Sequence, residues 1–400
     1  MPSPGAQTPA STPPAPSARS AWTGLYLLAI AVFAAITSEV VPIGLLPQVV
    51  SSLGVNEAGA GTLISLYAGM VAVTAVPLTR LTRRIPRKPL LLATLIVFAL
   101  SNTLAAAAPD FVWLAVARAL GGAAHALFFA VAIGYAARIA PRGQTGRALA
   151  LVATGTSVGL ILGVPAGTVL GELFSWRATF GALAVIVALA TLAAVRYLPA
   201  VEHDAEAGKS LLPGGGTLLL VAGLAGAAFL GHYSLYTYVS PFLLAAGLPA
   251  AWLGAMLAVL GLSGLVGIRI AARRLDAHPY AWLVAVPSAV LLTQAALALS
   301  FPSLLPVLIL AALWTASFGP VNSTYQSVLV RVGKDNPEMA GAWINVTCNI
   351  GIAVGSTLGG TLLTGTGGYT SAGLAGCAVL AAAVLVTLLA KARLLGTSRG

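Results

Sequence analysis

One acidic residue of this 400-residue chain lies deep inside an apolar segment. Glu39 stands in the stretch T-S-E-V-V-P, whereas the other nine Asp and Glu residues fall in loops or at the ends of apolar runs. A carboxyl group in an apolar interior is costly, so such a residue is a candidate for function by default. The chemistry that Glu39 offers is the uptake and release of a proton.

Two further ionisable residues, Arg118 and His125, lie in the fourth apolar segment. At 1.5 Å per residue, Glu39 and Arg118 lie about 12 Å and about 7–8 Å below the same membrane surface, so we predict that they face each other. This pair either takes part in proton coupling or is a static ion pair between two helices. His125 lies two turns from Arg118 on one helix face. It either relays a proton or is a hydrogen-bonded core residue.

The composition indicates that the solvent around these residues is lipid. Apolar residues make up 58% of the chain and charged residues 8%, compared with about 25% charged residues in soluble proteins. A backbone in lipid must satisfy its polar groups within helices or a closed barrel. Apolar runs of about 20 residues favour helices. The net charge of +11 is therefore attributed to loop residues that orient a membrane protein, and no nucleic-acid partner is expected.

Other classes of function lack sequence support. Cys348 and Cys377 lie in apolar runs and are expected to be small core residues. The sequence contains no metal-ligand spacing, no G-x-x-x-x-G-K-[ST] loop and no set of nucleophile, base and orienting residue. We therefore expect that the protein is not an enzyme and uses no cofactor. The expected energy source is a proton gradient.

Twelve membrane spans are predicted between an N-terminal tail, 1–21, and a C-terminal tail, 394–400. They are Trp22–Pro47, Glu57–Thr79, Pro89–Ala108, Trp113–Ala137, Ala148–Gly171, Ala178–Tyr197, Thr217–Leu244, Ala251–Ala271, Tyr280–Ser300, Leu304–Val330, Met339–Gly365 and Ser371–Ala390. A linker, 199–216, separates a first bundle, 22–198, from a second, 217–393. All but two of the 21 Lys and Arg residues, Arg118 and Arg177, lie on one side of these spans. Both termini are therefore predicted to be cytoplasmic.

The two bundles match at an offset of about 193 residues. Gly159, Gly163 and Gly167 correspond to Gly351, Gly355 and Gly359, and Pro47 corresponds to Pro241. The repeat indicates an all-α integral membrane fold of two pseudo-symmetric six-helix bundles, with a substrate site between them. The same offset places His232 at the position of Glu39.

Polar and aromatic residues recur every fourth position in two spans. One series is His232, Tyr236 and Ser240, and the other is Trp314, Phe318, Asn322 and Gln326. Lipid would penalise their polar members, so each series faces either a cavity or a helix interface. We predict that His232, Tyr236, Trp314, Asn322 and Gln326 line a substrate site, with plain aromatic packing as the alternative.

Five stretches carry a resemblance to a known family over Trp22 to about Arg393. They are T-S-E-V-V-P-I-G-L-L-P, A-R-A-L-G-G-A-A-H, G-x-x-x-G-x-x-x-G-V-P-A-G-T-V-L-G, W-R-A-T-F and Y-T-Y-V-S-P-F-L. They resemble the major facilitator superfamily, and within it the bacterial twelve-helix drug:proton antiporters, near sugar-efflux and chloramphenicol-export proteins. In that resemblance Arg118 matches an arginine implicated in proton coupling. Gly159, Gly163, Pro165 and Gly167 match the antiporter motif, whose smooth faces are expected to rock.

The loop between spans 2 and 3 departs from the family pattern G-x-x-x-D-R-x-G-R-R. The matching stretch, Thr79 to Lys88, keeps the basic residues but neither the glycines nor the Asp. A charge relay through that acid is therefore in doubt. We expect that the loop still clamps the carbonyl ends of nearby helices.

The resemblance and the buried acid together predict a proton-coupled exporter of small, partly apolar solutes that works by alternating access. The expected partners are a small-molecule substrate, protons and the lipid of a bacterial inner membrane, and the expected state is a monomer. An uptake symporter on the same fold is the first alternative, and a membrane sensor or enzyme is the second. The sequence leaves open whether the substrate is a drug or a sugar.

Overall fold

The structure is a computed structural model that describes residues 18–199, 201, 215–275, 277–332, 337–365 and 367–396. Within these ranges it contains helices and no strands. Twelve helical segments are long and apolar enough to cross a membrane. The predicted all-α fold with twelve spans is therefore confirmed.

Spans 1 to 6 are Ala18–Leu53, Glu57–Leu81, Arg87–Ala106, Phe111–Ile139, Thr145–Leu173 and Trp176–Tyr197. Spans 7 to 12 are Gly216–Ala245, Ala250–Ala272, Pro279–Ser300, Leu304–Phe318 with Val321–Val332, Pro337–Leu363 and Gly368–Leu389. A short helix, Lys391–Gly396, follows. Span 1 begins inside the predicted N-terminal tail. Residues 1–17 of that tail, 397–400 of the C-terminal tail, and 200 and 202–214 of the linker lie outside the described residues.

Prolines explain where three spans depart from a regular helix. A proline donates no N–H, so the carbonyl four residues earlier loses its helical partner. Span 5 contains a π-helical turn, Gly159–Gly163, which ends two residues before Pro165. Span 7 is interrupted between Tyr236 and Val239, shortly before Pro241. Span 10 is interrupted at Gly319 and Pro320. These breaks decide which side chains of a span share a face.

The spans pack as two bundles. Spans 1–6 contact one another around cores that contain Phe98, Phe128 and Phe180, and spans 7–12 do so around Leu235 and Trp314. Contacts between the bundles join span 2 to span 11, span 5 to span 8, and span 1 to span 7. The predicted residue limits of the two bundles and of the linker stay predictions.

The glycine face of span 5 packs on span 1 of its own bundle. A Cβ at Gly159, Gly163 or Gly167 would collide with Ile36, Thr37 or Val41, respectively. The equivalent glycines of span 11, including Gly355 and Gly359, pack on the backbone of span 7 in the same way. The smooth faces therefore hold each bundle together, and contact with the other bundle comes from the opposite side of span 5. That side presents Ile161, Pro165 and Val169 to Gly254 and Gly261 of span 8.

The bundles meet at the end of the molecule that the charge pattern assigns to the outside. The Tyr238 ring lies between Gly61 and Gly360, where a Cβ on either glycine would collide with it. Thr357 Oγ1 donates a hydrogen bond to Ser65 Oγ (3.0 Å). Tyr369 Oη donates one to Glu57 Oε2 (2.7 Å). Hydrogen bonds and close packing thus join the bundles at this end.

The close contact of span 11 with span 7 predicts that Gly359→Ala destabilises the protein. The added methyl group would collide with the Ser234 carbonyl, which is backbone and has little room to move. Overpacking of this kind costs about 1–3 kcal/mol, so we expect a lower melting temperature in detergent. Unfolding can be followed with a thiol-reactive dye, because it exposes the buried thiols of Cys348 and Cys377. Gly223→Ala is the matched control because a Cβ there meets nothing within 4 Å; equal melting temperatures for both variants would contradict the packing.

Candidate functional site

Span 1 offers a free carbonyl beside its buried acid. Pro42 cannot donate a hydrogen bond to the Ser38 carbonyl four residues earlier. Arg118 of span 4 does so instead, with Nη1 2.6 Å from Ser38 O and Nη2 3.0 Å from Glu39 O. The T-S-E-V-V-P stretch therefore creates the acceptor that positions Arg118, and the Arg118 side chain is only 2% exposed.

The predicted direct pairing of the Glu39 carboxyl group with Arg118 is wrong. Among the described residues, the Glu39 carboxyl group lies beside His125, with Nε2 3.7 Å from Oε2. The two residues that were expected to pair do lie together, but the guanidinium binds backbone carbonyls. The physical reason is Pro42, because the Ser38 carbonyl that it frees is a strong buried acceptor. Which donor reaches that carbonyl depends on how span 4 packs on span 1.

Tyr67 of span 2 completes this cluster and was missed at the sequence level. Its hydroxyl lies 2.9 Å from His125 Nδ1, and its ring lies under the Arg118 guanidinium, 4.1 Å from Cζ to the centroid. Gly121 and Gly122 let span 4 approach Tyr67 closely, since a Cβ at either position would press on it. A tyrosine in an apolar span is common, so its residue type alone carries no signal of this role.

We name Glu39, Tyr67, Arg118 and His125 the buried polar cluster. Tyr67, Arg118 and His125 are almost fully buried, whereas the Glu39 side chain is 15% exposed. Glu39 is therefore the most exposed member of the cluster. A carboxyl group, an imidazole and a phenol that lie side by side can pass a proton from one to the next. The imidazole can donate and accept hydrogen bonds, and so can the phenol.

A second polar contact supports span 1 from span 3. Ser38 Oγ donates to Asn102 Oδ1 (2.9 Å), and Asn102 Nδ2 donates to the Phe98 carbonyl (2.9 Å). Both side chains are buried. Ser38 is thus held through its carbonyl by Arg118 and through its hydroxyl by Asn102, which fixes the segment that carries Glu39.

In the second bundle, aromatic rings surround His232. The ring centroids of Phe318, Trp314 and Tyr236 lie 3.5, 4.3 and 4.8 Å from that of His232. We name the full set the aromatic wall; it comprises Phe229, His232, Tyr233, Tyr236, Trp314 and Phe318. The structure therefore brings together three of the five predicted substrate residues.

The aromatic wall has polar atoms without protein partners. The buried Nδ1 of His232 has no hydrogen-bond partner. In the described part of the chain, Nε2 of His232 and the hydroxyls of Tyr233 and Tyr236 also form no hydrogen bond with protein. Buried polar groups are normally paired, so these atoms are available to a ligand or to water.

The predicted series on span 10 is divided between two helical segments, and the substrate role of Asn322 and Gln326 stays a prediction. Trp314 is buried in the aromatic wall, whereas Asn322 and Gln326 lie on the second segment of the span with exposed side chains. The cause is the break at Gly319 and Pro320, because a spacing of four residues keeps side chains on one face only in a continuous helix. Ser240 is likewise separated from His232 and Tyr236 by the break in span 7.

Lys88, the last basic residue of the stretch Thr79 to Lys88, lies in the first turn of span 3 and clamps a helix end as expected. Lys88 Nζ donates to the carbonyls of Val195 (3.2 Å) and Leu198 (2.7 Å), at the C-terminal end of span 6. Carbonyls at this end of a helix lack intrahelical donors and attract a cation. The clamp thus joins span 3 to span 6 within one bundle.

Comparison with known proteins agrees with this architecture. The sequence model of the Major Facilitator Superfamily matches residues 28–356, and the chain belongs to this superfamily. Its fold is similar to that of a bacterial homologue of the human lysosomal transporter Spinster, crystallised in an inward-facing and occupied conformation. That similarity has a TM-score of 0.69 at 17% sequence identity and covers 96% of this chain and 97% of the other. The fold is that of a secondary transporter, which is a multi-pass membrane protein. Transporters of this superfamily generally need no cofactor.

The geometry around Pro42 predicts that the effect of Arg118→Lys depends on residue 42. A lysine lacks the rigid planar fork of two Nη donors with which Arg118 reaches the carbonyls of Ser38 and Glu39. Loss of a hydrogen bond to a buried group costs about 1–3 kcal/mol. In a Pro42→Ala background the new N–H can bond to the Ser38 carbonyl, so the same replacement should cost less. Thiol-dye unfolding of the two single variants and the double variant measures the difference.

A control for this cycle is Arg177→Lys. Arg177 Nη2 donates to the Ala108 carbonyl (2.8 Å), which no proline has freed. We expect this replacement to be additive with Pro42→Ala. If Arg118→Lys were also additive with Pro42→Ala, the proline would not be what assigns Arg118 to the Ser38 carbonyl.

Proposed function

We propose that this chain is a proton-coupled exporter of small, partly apolar solutes, of the drug:proton antiporter type, in a bacterial cytoplasmic membrane. The observation that carries the proposal is the buried polar cluster, in which the Glu39 carboxyl group lies beside His125 and the Tyr67 hydroxyl bonds to the other nitrogen of His125. A charge in the membrane interior is costly, and proton carriers are a common reason for it.

In this proposal Glu39 takes up the proton and His125 relays it. The distance of 3.7 Å between Oε2 and Nε2 exceeds the length of an N–H···O bond, about 2.7–3.2 Å. The groups must therefore approach by about 0.5–1 Å for transfer. Tyr67 supports either tautomer of His125, since its hydroxyl donates to a bare Nδ1 and accepts from a protonated one.

Arg118 provides a cation that the ionised carboxylate can use. Its guanidinium now binds the carbonyls of Ser38 and Glu39, and its Nε is unpaired. A shift of span 1 against span 4 would exchange a carbonyl for the Glu39 carboxylate. The protonated and ionised states of Glu39 would then favour different positions of span 1, which is the coupling that transport requires.

The aromatic wall is the proposed substrate surface. Phe229, Tyr236 and Phe318 are half-buried. Within the described ranges, the polar atoms of His232, Tyr233 and Tyr236 form no hydrogen bond with protein. Aromatic faces with a few hydrogen-bonding groups suit a small solute that is apolar on one face and polar on another. The membrane interior of spans 7–12 carries no Lys, Arg, Asp or Glu in the described residues, so this surface suits an uncharged part of the solute.

Alternating access is proposed because the bundles are joined at one end. Tyr238, Glu57 and Tyr369 make contacts between bundles at the end that the charge pattern assigns to the outside. We infer an inward-facing arrangement, which opens outward when these contacts separate and span 2 moves against span 11.

Glu39→Gln is expected to abolish export driven by a pH gradient, because an amide has the shape of the carboxyl group but carries no transferable proton. Inverted membrane vesicles with an imposed gradient, with ethidium and chloramphenicol as probes, measure the flux. Probe exchange without a gradient should persist. Glu172→Gln, at the exposed end of span 5, is the matched control. Undiminished gradient-driven export by Glu39→Gln would refute the proton role, and flux in the opposite direction would identify an uptake symporter.

A disulfide between the bundles is expected to stop transport. The Cβ of a residue at 69 would lie 3.9 Å from the Cβ of Ala353, within the range of disulfides, about 3.5–4.5 Å. Gly69→Cys with Ala353→Cys should therefore form a disulfide on mild oxidation, detectable by mass spectrometry, and reductant should restore flux.

The control for this cross-link lies within one bundle. A Cβ at Gly181 would also lie 3.9 Å from the Cβ of Ala106, and both residues belong to the first bundle. Gly181→Cys with Ala106→Cys should form its disulfide and leave the flux unchanged. Full transport by the oxidised Gly69→Cys and Ala353→Cys variant would show that spans 2 and 11 need not separate here.

A further inference from the structure

A glutamine behind the aromatic wall has an unusually complete set of hydrogen bonds. Gln294 of span 9 donates from Nε2 to the carbonyls of Gly231 (2.8 Å) and Gly373 (3.0 Å), on spans 7 and 12. Its Oε1 accepts from the indole Nε1 of Trp314 on span 10 (3.0 Å). Its side chain is 0% exposed. One amide thus connects four spans of the second bundle.

The surroundings determine how this amide is oriented. A reversed amide would set Oε1 against two carbonyl oxygens and the NH₂ group against the indole N–H, so that all three contacts would become repulsive. Gly376 provides the space, because a Cβ there would collide with Gln294 Nε2. The orientation of the Gln294 amide is therefore imposed by groups on three other spans.

The hydrogen bond to Trp314 sets the geometry of the aromatic wall. Trp314 is fully buried, and its indole N–H is its one hydrogen-bonding group. Its ring lies 4.3 Å from His232 and 5.9 Å from Tyr236, centroid to centroid. Any rotation of the indole would break its bond to Gln294 and would also move its face against His232.

We propose that Gln294 is a positioning residue for the substrate surface, which it shapes through Trp314. This inference rests on the proposed substrate role of the aromatic wall. Gln294 and Trp314 both have no exposed surface. The effect of Gln294 on a solute therefore passes through the Trp314 ring to the half-buried Tyr236. A residue that only joined spans would affect stability, whereas a positioning residue also changes the affinity for the solute.

The first test needs no substrate. The chain has seven tryptophans, and labelling with 5-fluorotryptophan gives each a ¹⁹F signal in the full-length protein in detergent. Trp314→Phe identifies the signal of residue 314. Gln294→Leu should shift and broaden that signal and leave the other six in place. Thr293→Ala is the matched control on span 9, because Thr293 Oγ1 bonds only within its own helix. An unmoved Trp314 signal in Gln294→Leu would overturn the proposal.

The second test is a transport cycle with ethidium and chloramphenicol in vesicles. Gln294→Leu should raise the apparent KM about tenfold and leave the maximal rate per folded molecule nearly unchanged. In the Trp314→Phe background the same replacement should have no further effect on KM, although it still lowers the melting temperature. Equal effects of Gln294→Leu with and without Trp314 would overturn the positioning role. If the wild-type protein moved neither probe, the proposed transport of such solutes would fail, while the ¹⁹F test of Gln294 would still decide its role.

Discussion

A single missing hydrogen bond organises the site. Pro42 leaves the Ser38 carbonyl without its helical donor, and lipid offers no water to replace it. Arg118 donates a hydrogen bond to this carbonyl. The bond also stabilises Arg118, because a buried guanidinium needs acceptors. Spans 1 and 4 are thereby tied at the level of Glu39. Tyr67 then packs against the guanidinium, and its hydroxyl holds His125 beside the carboxylate.

Equivalent positions in the two bundles make different kinds of interaction. In the first bundle the buried polar cluster satisfies charge with backbone carbonyls, an imidazole and a phenol. In the second bundle His232, at the repeat position of Glu39, is packed among aromatic rings, and its Nδ1 has no hydrogen-bond partner among the described residues. Charge is therefore concentrated in one bundle and apolar contact surface in the other. A transporter that couples a proton to a partly apolar solute has use for both.

Glycine and proline place the surfaces at which these bundles meet. The glycine faces of spans 5 and 11 bring each against the first span of its own bundle. Pro165 frees the Ile161 carbonyl on the opposite side of span 5, where Gly261 of span 8 approaches it. Glycine faces that pack within each bundle, with a separate set of contacts between the bundles, are compatible with rigid bodies that move against each other.

The sequence by itself determined the lipid solvent, the twelve helices and the isolation of Glu39 among the acidic residues. Composition and apolar run length decide these features, since each follows from the cost of exposing backbone and charge to hydrocarbon. The periodicity of a helix also placed His125 on the face of Arg118, and His232 on that of Tyr236.

Only the tertiary structure decided the partners of these residues. Helical periodicity places a side chain on a face of its own helix, but proline breaks and crossing angles determine which neighbour meets that face. Asn322 and Gln326 are therefore separated from Trp314 by the break at Pro320, and Arg118 binds carbonyls and not the Glu39 carboxylate. Tyr67 and Gln294 belong to the sites because they are close in space, on spans distant in sequence, and the residue types alone are compatible with ordinary packing.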